Sequence, residues 1–283
     1  MKRENRFKET LIACLKNKNF MIGFVMLLSV ILVAIFAEQI APYDYMEQLV
    51  GPKFTAPCRE YLFGTDDLGR DMFSRVVLGT RITLWVAFLG TVLQLAIGIV
   101  VGLIAGYFGG KVDAVFTFLT DLTWCIPGTI LALAVVTVIG KSLTNSVIAI
   151  AMVCWAAYAR PIRSKTMSLK TMAFVETGKA FGESDLALMF RYILPNMVPT
   201  IIVMASTTLP STVLSTTTLS FLGMGSQPPS PDWGLALSSG VSYIARAPWM
   251  SIFPGIALVY TVFGFSLLGE GIRDILDPHL RSM

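Results

Sequence analysis

The sequence predicts an all-helical protein that crosses a membrane about six times. Of its 283 residues, 54% are hydrophobic and only 14% are charged, whereas soluble domains carry about 25% charged residues. The mean hydropathy is +0.69. Several apolar runs approach the roughly 20 residues that a helix needs to cross a bilayer. These runs are continuous and do not alternate, which argues against a membrane β-barrel.

Six apolar runs are the candidate spans: 20–37, 82–107, 114–138, 146–158, 198–222 and 251–268. The fourth run is short. The third is interrupted by Ile126-Pro127-Gly128, which membrane helices tolerate where neighbours satisfy the freed carbonyl. The first run follows a long basic stretch and lacks an Ala-x-Ala cleavage site. We therefore expect an uncleaved first helix and not a signal peptide.

The distribution of Lys and Arg predicts the orientation. With the N-terminus inside, the inner segments 1–19, 108–113, 159–197 and 269–283 hold 15 of the 22 basic residues. The positive-inside rule therefore predicts that both termini are cytoplasmic. The expected division is a cytoplasmic segment (1–19), a first span with an extracytoplasmic loop (20–81), and a five-span transmembrane domain (82–283). The last unit contains the cytoplasmic loop 160–197.

Cysteine and histidine are too scattered to predict a metal site or an internal disulfide. His279 is the single histidine, and a structural or catalytic metal site normally gathers several Cys or His side chains. Only one cysteine falls in a long polar connection outside the membrane. The four cysteines are Cys14, Cys58, Cys125 and Cys154.

The cytoplasmic loop before the fifth span carries an amphipathic pattern. Six apolar residues recur at helical spacing and predict one continuous stripe. Ser184 is the expected N-cap, and Asp185 suits the positive end of the helix dipole. The stripe consists of Leu186, Met189, Phe190, Ile193, Leu194 and Met197.

A second short helix is predicted over 171–181, stopped by Gly182. Pro195 and Pro199 are expected to mark a turn into the fifth span. Two interpretations of this helix–hinge–helix loop stay open. It either lies on the membrane surface or on the chain's own spans, or it inserts a helix into the groove of a soluble partner.

The same loop resembles the EAA loop of bacterial ABC importer permeases. That pattern has Glu-Ala-Ala, three residues, Gly, and an Ile-x-Leu-Pro-like end; here Thr177 and Gly178 replace the two alanines, and Tyr192 occupies the usual isoleucine position. In that family the loop carries the helix that fits a groove on the cytoplasmic ATPase. The resemblance implies these ATPase-coupling residues: Glu176, Thr177, Gly178, Ala180, Gly182, Asp185, Leu186, Ile193, Leu194 and Pro195.

Further motifs narrow the resemblance to the dipeptide, oligopeptide and nickel branch. The stretch 63–71, with Ser74-Arg75, is similar to the GTDxxGRD segment of that branch. The same group is also matched by four later stretches: 219–225, Gln227-Pro228-Pro229, Trp233-Gly234 and Leu276-Asp277-Pro278. The chain resembles the second permease of that branch. We call the stretch 63–75 the outer segment. Two interpretations of it stay open: it contacts a binding protein, or it is a structural fold held by carboxylate–guanidinium pairs. Its residues are Gly64, Thr65, Asp66, Gly69, Arg70, Asp71 and Arg75.

Polar residues inside the spans are candidates for the transport pathway. Asp121 lies about seven residues into the third run, where a charge is by default a functional-site hypothesis; it either lines the pathway or pairs with a partner helix. The fifth run is rich in Ser and Thr, including Thr212 and Thr216, and hydroxyls serve helix packing as readily as a polar path. Pro210 would kink this helix. The basic residues Arg160, Arg163, Lys165 and Lys170 are attributed to topology and lipid headgroups.

The residues themselves predict no catalytic site and no ATP site. Gly140-Lys141-Ser142 ends like a P-loop, but Val135 stands where the first glycine is required. A membrane enzyme would need a polar partner for Asp121, and a membrane scaffold would not need the extended match to permeases.

The resemblance implies half of a translocation pathway in the bacterial plasma membrane, driven by ATP that partner subunits use. It further implies a homologous permease, two cytoplasmic ATPases and an extracytoplasmic binding protein as partners, with no bound cofactor or metal and no nucleic acid. Di- or oligopeptides are the expected cargo, and nickel or a metal chelate is the alternative.

Overall fold

The computed structural model describes residues 12–276 as a bundle of membrane-length helices linked by shorter ones. The basic residues before position 12, His279, Asp277 and Pro278 lie outside this part of the chain. The helices are α1 (Lys18–Ile35), α2 (Ala37–Ile40), α3 (Met72–Phe108), α4 (Gly110–Cys125), α5 (Gly128–Ile139), α6 (Leu143–Lys170), α7 (Ala173–Ala180), α8 (Asp185–Ala187), a π-helical segment (Leu188–Ile193), α9 (Leu194–Phe221), α10 (Trp233–Val241) and α11 (Trp249–Leu276).

The described part of the chain contains five or six candidate spans, and six were predicted. In the described residues, five helices are long and apolar enough to cross a membrane, and the pair α4 and α5 makes a sixth if it is counted as one span. The two members of that pair are bent by 96° at the break. Pro127 lies at this break and caps α5, so the predicted interruption is confirmed.

The helix of the second span begins ten residues before the predicted run 82–107, which is nearly three helical turns, and is much longer than that run. Helix α3 has 37 residues because Asp71 caps it, with its side chain accepting from the Ser74 N–H. Arg75 and Arg81 lie just before the apolar run, so the prediction left both outside the span. In the structure both belong to α3, and their guanidinium groups donate to backbone carbonyls. Likewise, α6 continues well beyond the predicted 146–158, through Pro161, to Lys170.

The predicted turn at Pro195 and Pro199 is wrong. The chain from Asp185 to Phe221 runs as one helical rod of 37 residues. Pro195 lies in the first turn of α9, directly after the point where the Leu194 N–H bonds to Met189 O in the wider π pattern. Because proline is tolerated in a first helical turn and the bonding changes at this junction, the rod continues without a break.

A seam of small residues brings α3 against α6. Gly98, Gly102 and Gly106 recur every four residues on α3, and a Cβ on each would lie within 2.4–2.7 Å of an α6 atom. Spacing of this kind lets membrane helices approach closely. The second and fourth spans therefore form a tightly packed pair, and this pair supports the cytoplasmic loop.

Candidate functional site

The loop between the fourth and fifth spans, which is predicted to be cytoplasmic, contains two helices separated by a tight turn at Gly182. Gly182 has φ +81°, a left-handed conformation that glycine adopts without a steric penalty. The N–H of Glu183 donates to Gly178 O at 3.1 Å, and the N–H of Gly182 donates to Lys179 O at 3.0 Å. The predicted end of the first helix at Gly182 is therefore confirmed, although α7 itself covers only Ala173–Ala180.

The second helix begins where the sequence indicated. The side chain of Ser184 accepts a hydrogen bond from the Ala187 N–H at 3.3 Å, as an N-cap does. Asp185 follows in the first turn. The start of this helix is therefore fixed by local capping, independently of any partner.

The single apolar stripe predicted for this helix is not present. Met189, Ile193 and Met197 are fully buried against the chain's own spans. Leu186 and Phe190, from the same predicted stripe, are exposed. The π-helical segment explains the difference, because its wider turn shifts the direction of side chains along the helix.

Gly178 allows the two loop helices to pack. A Cβ at this position would lie 2.9 Å from Leu188 Cδ2, and Leu188 is fully buried. Leu188 belongs to a core cluster with Leu103 of α3 and Ile162 of α6. The loop is thus fastened to the second and fourth spans by apolar packing.

An exposed apolar patch remains on the outside of the loop. Glu176, in the same loop, is also exposed. Phe181, in the turn before Gly182, is 84% exposed. Sequence reasoning missed Phe181 and Phe174 because neither lies in a periodic stripe; an aromatic residue beside a turn glycine was the only signal. We call this the loop patch, and it consists of Phe174, Phe181, Leu186 and Phe190.

A polar clamp joins the loop to the cytoplasmic end of the second span. The hydroxyl of Tyr107, near the end of α3, donates to Asp185 Oδ1 at 2.6 Å. Lys170, the last residue of α6, donates to the Tyr107 carbonyl and lies over the Tyr107 ring. No sequence pattern indicates this three-residue contact, because its members come from three distant segments.

The outer segment is a folded loop with buried polar residues. The Asp66 carboxylate is 2% exposed and accepts from the N–H groups of Leu68 and Arg70 and from Arg70 Nε at 2.6 Å. Gly64 and Gly69 supply left-handed turns at φ +74° and +72°. The Thr65 carbonyl accepts from the Trp249 indole. These contacts explain the segment structurally, and its contact with a binding protein stays a prediction.

Arg75 ties two outer connections to the start of the second span. It is buried in α3 and donates to the carbonyls of Tyr45, Pro229 and Ser230 at 2.8–3.2 Å. Asp232 follows that connection and caps α10 by accepting from the Leu235 N–H. Burial raises the pKa of Asp232, and this hydrogen bond opposes the rise.

The intramembrane candidates have different surroundings. Thr212 and Thr216 are buried within the chain; Thr212 Oγ1 accepts from Gln94 at 3.3 Å, and Thr216 donates to the preceding turn of its own helix. These contacts favour the packing alternative for both. Asp121 forms an ion pair with Arg160, and both side chains are about half exposed. Among residues 12–276, no group of three or more His, Cys, Asp or Glu could hold a metal ion.

Five or six membrane-length helices within residues 12–276, with a structured loop between the fourth and fifth spans, make this chain a multi-pass membrane protein, and the family match gives its class as a permease subunit. Residues 98–282 match the family described as binding-protein-dependent transport system inner membrane component. Residues 5–57 match the N-terminal transmembrane domain of oligopeptide transport permease C. The chain therefore belongs to the family of inner membrane components of binding-protein-dependent transport systems.

Three relatives of similar length are also named as transport permeases. The dipeptide transport permease DppC of Alkalihalophilus pseudofirmus is 40% identical over 267 residues, which cover 94% of this chain and 88% of the relative. The glutathione transport permease GsiD of Pectobacterium atrosepticum is 38% identical, with 92% and 86% covered. The oligopeptide transport permease OppC of Bacillus subtilis is 34% identical, with 97% and 90% covered.

Solved structures show the fold independently. A chain of the MetNI methionine ABC transporter in an inward-facing conformation superposes with a TM-score of 0.58 at 19% identity, covering 72% of this chain and 97% of that chain. An amino acid ABC transporter superposes with a TM-score of 0.53 at 16% identity, with 75% and 95% covered. The chain thus has the ABC importer permease fold, and family membership implies a partner permease, ATPase subunits and a binding protein.

Proposed function

We propose that this chain forms half of the translocation pathway of an ATP-driven importer of di- or oligopeptides. A homologous but distinct permease supplies the other half, two ATPase subunits dock on the cytoplasmic side, and an extracytoplasmic binding protein delivers the cargo. ATP is bound and hydrolysed by the partner subunits and not by this chain. Both termini lie in the cytoplasm of a bacterial cell, as the distribution of basic residues supports.

The observation that carries the coupling function is the continuity between the loop and the fifth span. The chain from Asp185 to Phe221 is one helical rod, so a displacement at its cytoplasmic end moves the whole span. The clamp from Asp185 to Tyr107 adds a second connection, to α3. The loop patch and Glu176 supply the surface on which an ATPase groove closes.

This arrangement converts a change in ATPase docking into a change in the conformation of the permease. An ATPase pair that binds the two conformations of the permease with different affinity shifts the equilibrium between inward- and outward-facing states. The loop residues from Glu176 to Pro195 would then move together with α9. Apolar packing of Leu188 against the second and fourth spans passes the displacement to those spans as well.

The peptide assignment rests on the relatives. Three permeases that share 34–40% identity over nine-tenths of this chain are named for dipeptide, oligopeptide or glutathione transport. All three cargoes are peptides with free charged groups.

The assignment is tested by reconstituting the chain with its partner permease, ATPases and binding protein in proteoliposomes. ATP-dependent uptake of labelled dipeptides is compared with uptake of labelled nickel. The proposal expects peptide uptake that requires both ATP and the binding protein. Uptake of nickel without uptake of any peptide would overturn the cargo assignment and leave the coupling function in place.

A further inference from the structure

Two ion pairs join α4 to α6, and the first of them is bidentate. Arg163 donates from Nε and Nη2 to the two carboxylate oxygens of Asp113. Thr117 donates to the same carboxylate at 3.4 Å. Bidentate pairs of this kind fix geometry strongly. The Asp113–Arg163 pair therefore acts as a structural tie between the helices.

The second pair is only partly satisfied. Arg160 Nη2 donates to one oxygen of Asp121, and in residues 12–276 neither group makes another hydrogen bond to the protein. The Arg160 and Asp121 side chains are 46% and 54% exposed. A guanidinium has five N–H donors and a carboxylate has two acceptor oxygens. Both groups can therefore form further hydrogen bonds on their exposed side, which we call the open side of the pair.

This second pair lies about three turns from the start of α4 and about three turns from the end of α6. Asp121 is about 16 Å along the axis from Gly110, and Arg160 is about 15 Å from Lys170, at the usual rise per residue. A half-exposed charge in a membrane-spanning helix is unfavourable against lipid and normally faces water or a polar partner. The open side of the pair therefore faces water or a polar partner and not lipid.

A cavity of suitable chemistry lies beside the pair. It has a volume of about 340 Å³ and is lined by Phe116, Thr117, Thr120, Asp121, Arg160 and Arg163 among others. The Arg160 guanidinium also lies 4.2 Å from the centre of the Trp124 ring. A cation, an anion, hydroxyls and an aromatic face thus meet at one opening, next to the bend between α4 and α5.

We propose that Asp121 and Arg160 form a transit site for the charged termini of a peptide. The Arg160 guanidinium receives the peptide carboxylate, and the Asp121 carboxylate receives the peptide ammonium. Trp124 keeps the guanidinium in place while it exchanges partners. Because the site is open and each charge already has a partner, it binds cargo weakly, as passage through a membrane requires. This inference rests on the peptide transport proposed above.

The competing explanation is that this pair is a second structural tie. A variant that removes both charges separates the two explanations, because it leaves no unpaired charge behind. The variant is Asp121→Asn/Arg160→Gln in the full importer complex. Glu38→Gln is the matched control, because Glu38 pairs with Arg81 at 2.6 Å in an exposed position near the end of the first span.

Two quantities are measured in proteoliposomes with the binding protein present: uptake of labelled dipeptides, beginning with L-alanyl-L-alanine, and ATP hydrolysis. For the double variant we expect uptake to fall about tenfold or more, while binding-protein-stimulated ATP hydrolysis stays within about twofold of native, since a loss of about 1.4 kcal/mol corresponds to a factor of ten. Glu38→Gln should keep both quantities at the native level.

A double variant with the native ratio of uptake to ATP hydrolysis would overturn the transit site. So would a parallel fall of uptake and hydrolysis, because that result indicates a role in assembly or coupling. Failure of the native complex to import any dipeptide is a different result, which contradicts the proposed peptide function itself.

A labelling experiment tests the aqueous setting directly. Asp121→Cys is introduced with the native cysteines replaced, and it is treated with a charged, water-soluble thiol reagent. We expect rapid labelling that L-alanyl-L-alanine slows. Absence of labelling in a folded complex would place position 121 against lipid or protein and overturn the proposal.

Discussion

The Tyr107 hydroxyl donates a 2.6 Å hydrogen bond to the Asp185 carboxylate, and so joins the end of the second span to the start of the rod that becomes the fifth. Lys170, at the end of α6, reaches the carbonyl of the same tyrosine. Three spans therefore meet at one point beside the loop. Motion of the loop reaches them through side chains as well as through the backbone.

Tyr107→Phe should weaken this coupling without unfolding the permease. The change removes one hydrogen bond to a carboxylate, worth about 1 kcal/mol at a partly exposed site, and it keeps the ring. We expect dipeptide uptake per ATP hydrolysed to fall severalfold while the ATPases stay bound. Tyr192→Phe is the control, since it removes a 3.2 Å bond to Glu183 within the loop itself. Equal effects of the two variants would argue against the clamp.

Phe181→Ala should weaken docking of the ATPases. Phe181 is 84% exposed, so its loss leaves the permease core intact, and burial of an aromatic side chain at an interface contributes about 2 kcal/mol or more when it is a central contact. The measurement is the amount of ATPase that co-purifies with the permease. Phe263→Ala, on the exposed face of α11, is the control. Full ATPase retention by Phe181→Ala would remove Phe181 from the docking surface.

Gly182→Ala should loosen the turn between the loop helices. A side chain at φ +81° is strained by about 1–2 kcal/mol, and this corresponds to a factor of about 5–30 in a local opening equilibrium. Trypsin cleavage at Lys179 in the isolated permease should accelerate accordingly. Gly255→Ala, within α11 and with ordinary space for a Cβ, should leave the rate unchanged. An unchanged rate in Gly182→Ala would show that the turn adapts.

The outer segment offers a matched pair of carboxylates. Asp66 is buried and bonded three times, whereas Asp67 lies 3.9 Å from Arg70 and is 30% exposed. Asp66→Asn should destabilise the protein by about 1–3 kcal/mol, because the mostly buried Arg70 guanidinium loses its 2.6 Å partner and keeps only Asp67 at 3.9 Å. Asp67→Asn should change stability by less than about 0.5 kcal/mol. Thermal unfolding in detergent distinguishes them, and similar midpoints would contradict the structural role of Asp66.

Composition and motif spacing were sufficient for the fold, the break at Pro127, the cap at Ser184 and the turn at Gly182, because each depends on local chemistry. Contacts across the bundle were not accessible in this way. The partner of Asp121 is Arg160, 39 residues away, and periodicity gives no information on such pairs. Helical periodicity also failed at Leu188, since a π-helical segment changes the repeat on which the stripe prediction depended.

The span ends were mispredicted for a related reason. Hydropathy measures transfer of side chains, and it assigned Arg75 to water. In the structure Arg75 is buried and donates to three backbone carbonyls, so the helix begins well before the apolar run. Similarly, Pro195 and Pro199 predicted a turn from local preference, whereas packing of Met197 and Ile193 against the spans holds the rod together.

The central claim is that the loop from Glu176 to Pro195 couples this permease to its ATPases. The most direct test is co-purification of the ATPase subunits with the native chain, with Glu176→Ala and with Gly182→Pro, each first shown to insert in the membrane. The account predicts that the native chain retains the ATPases and that the inserted variants lose them or lose ATP-driven uptake. Equal retention and equal uptake by all three proteins would contradict it.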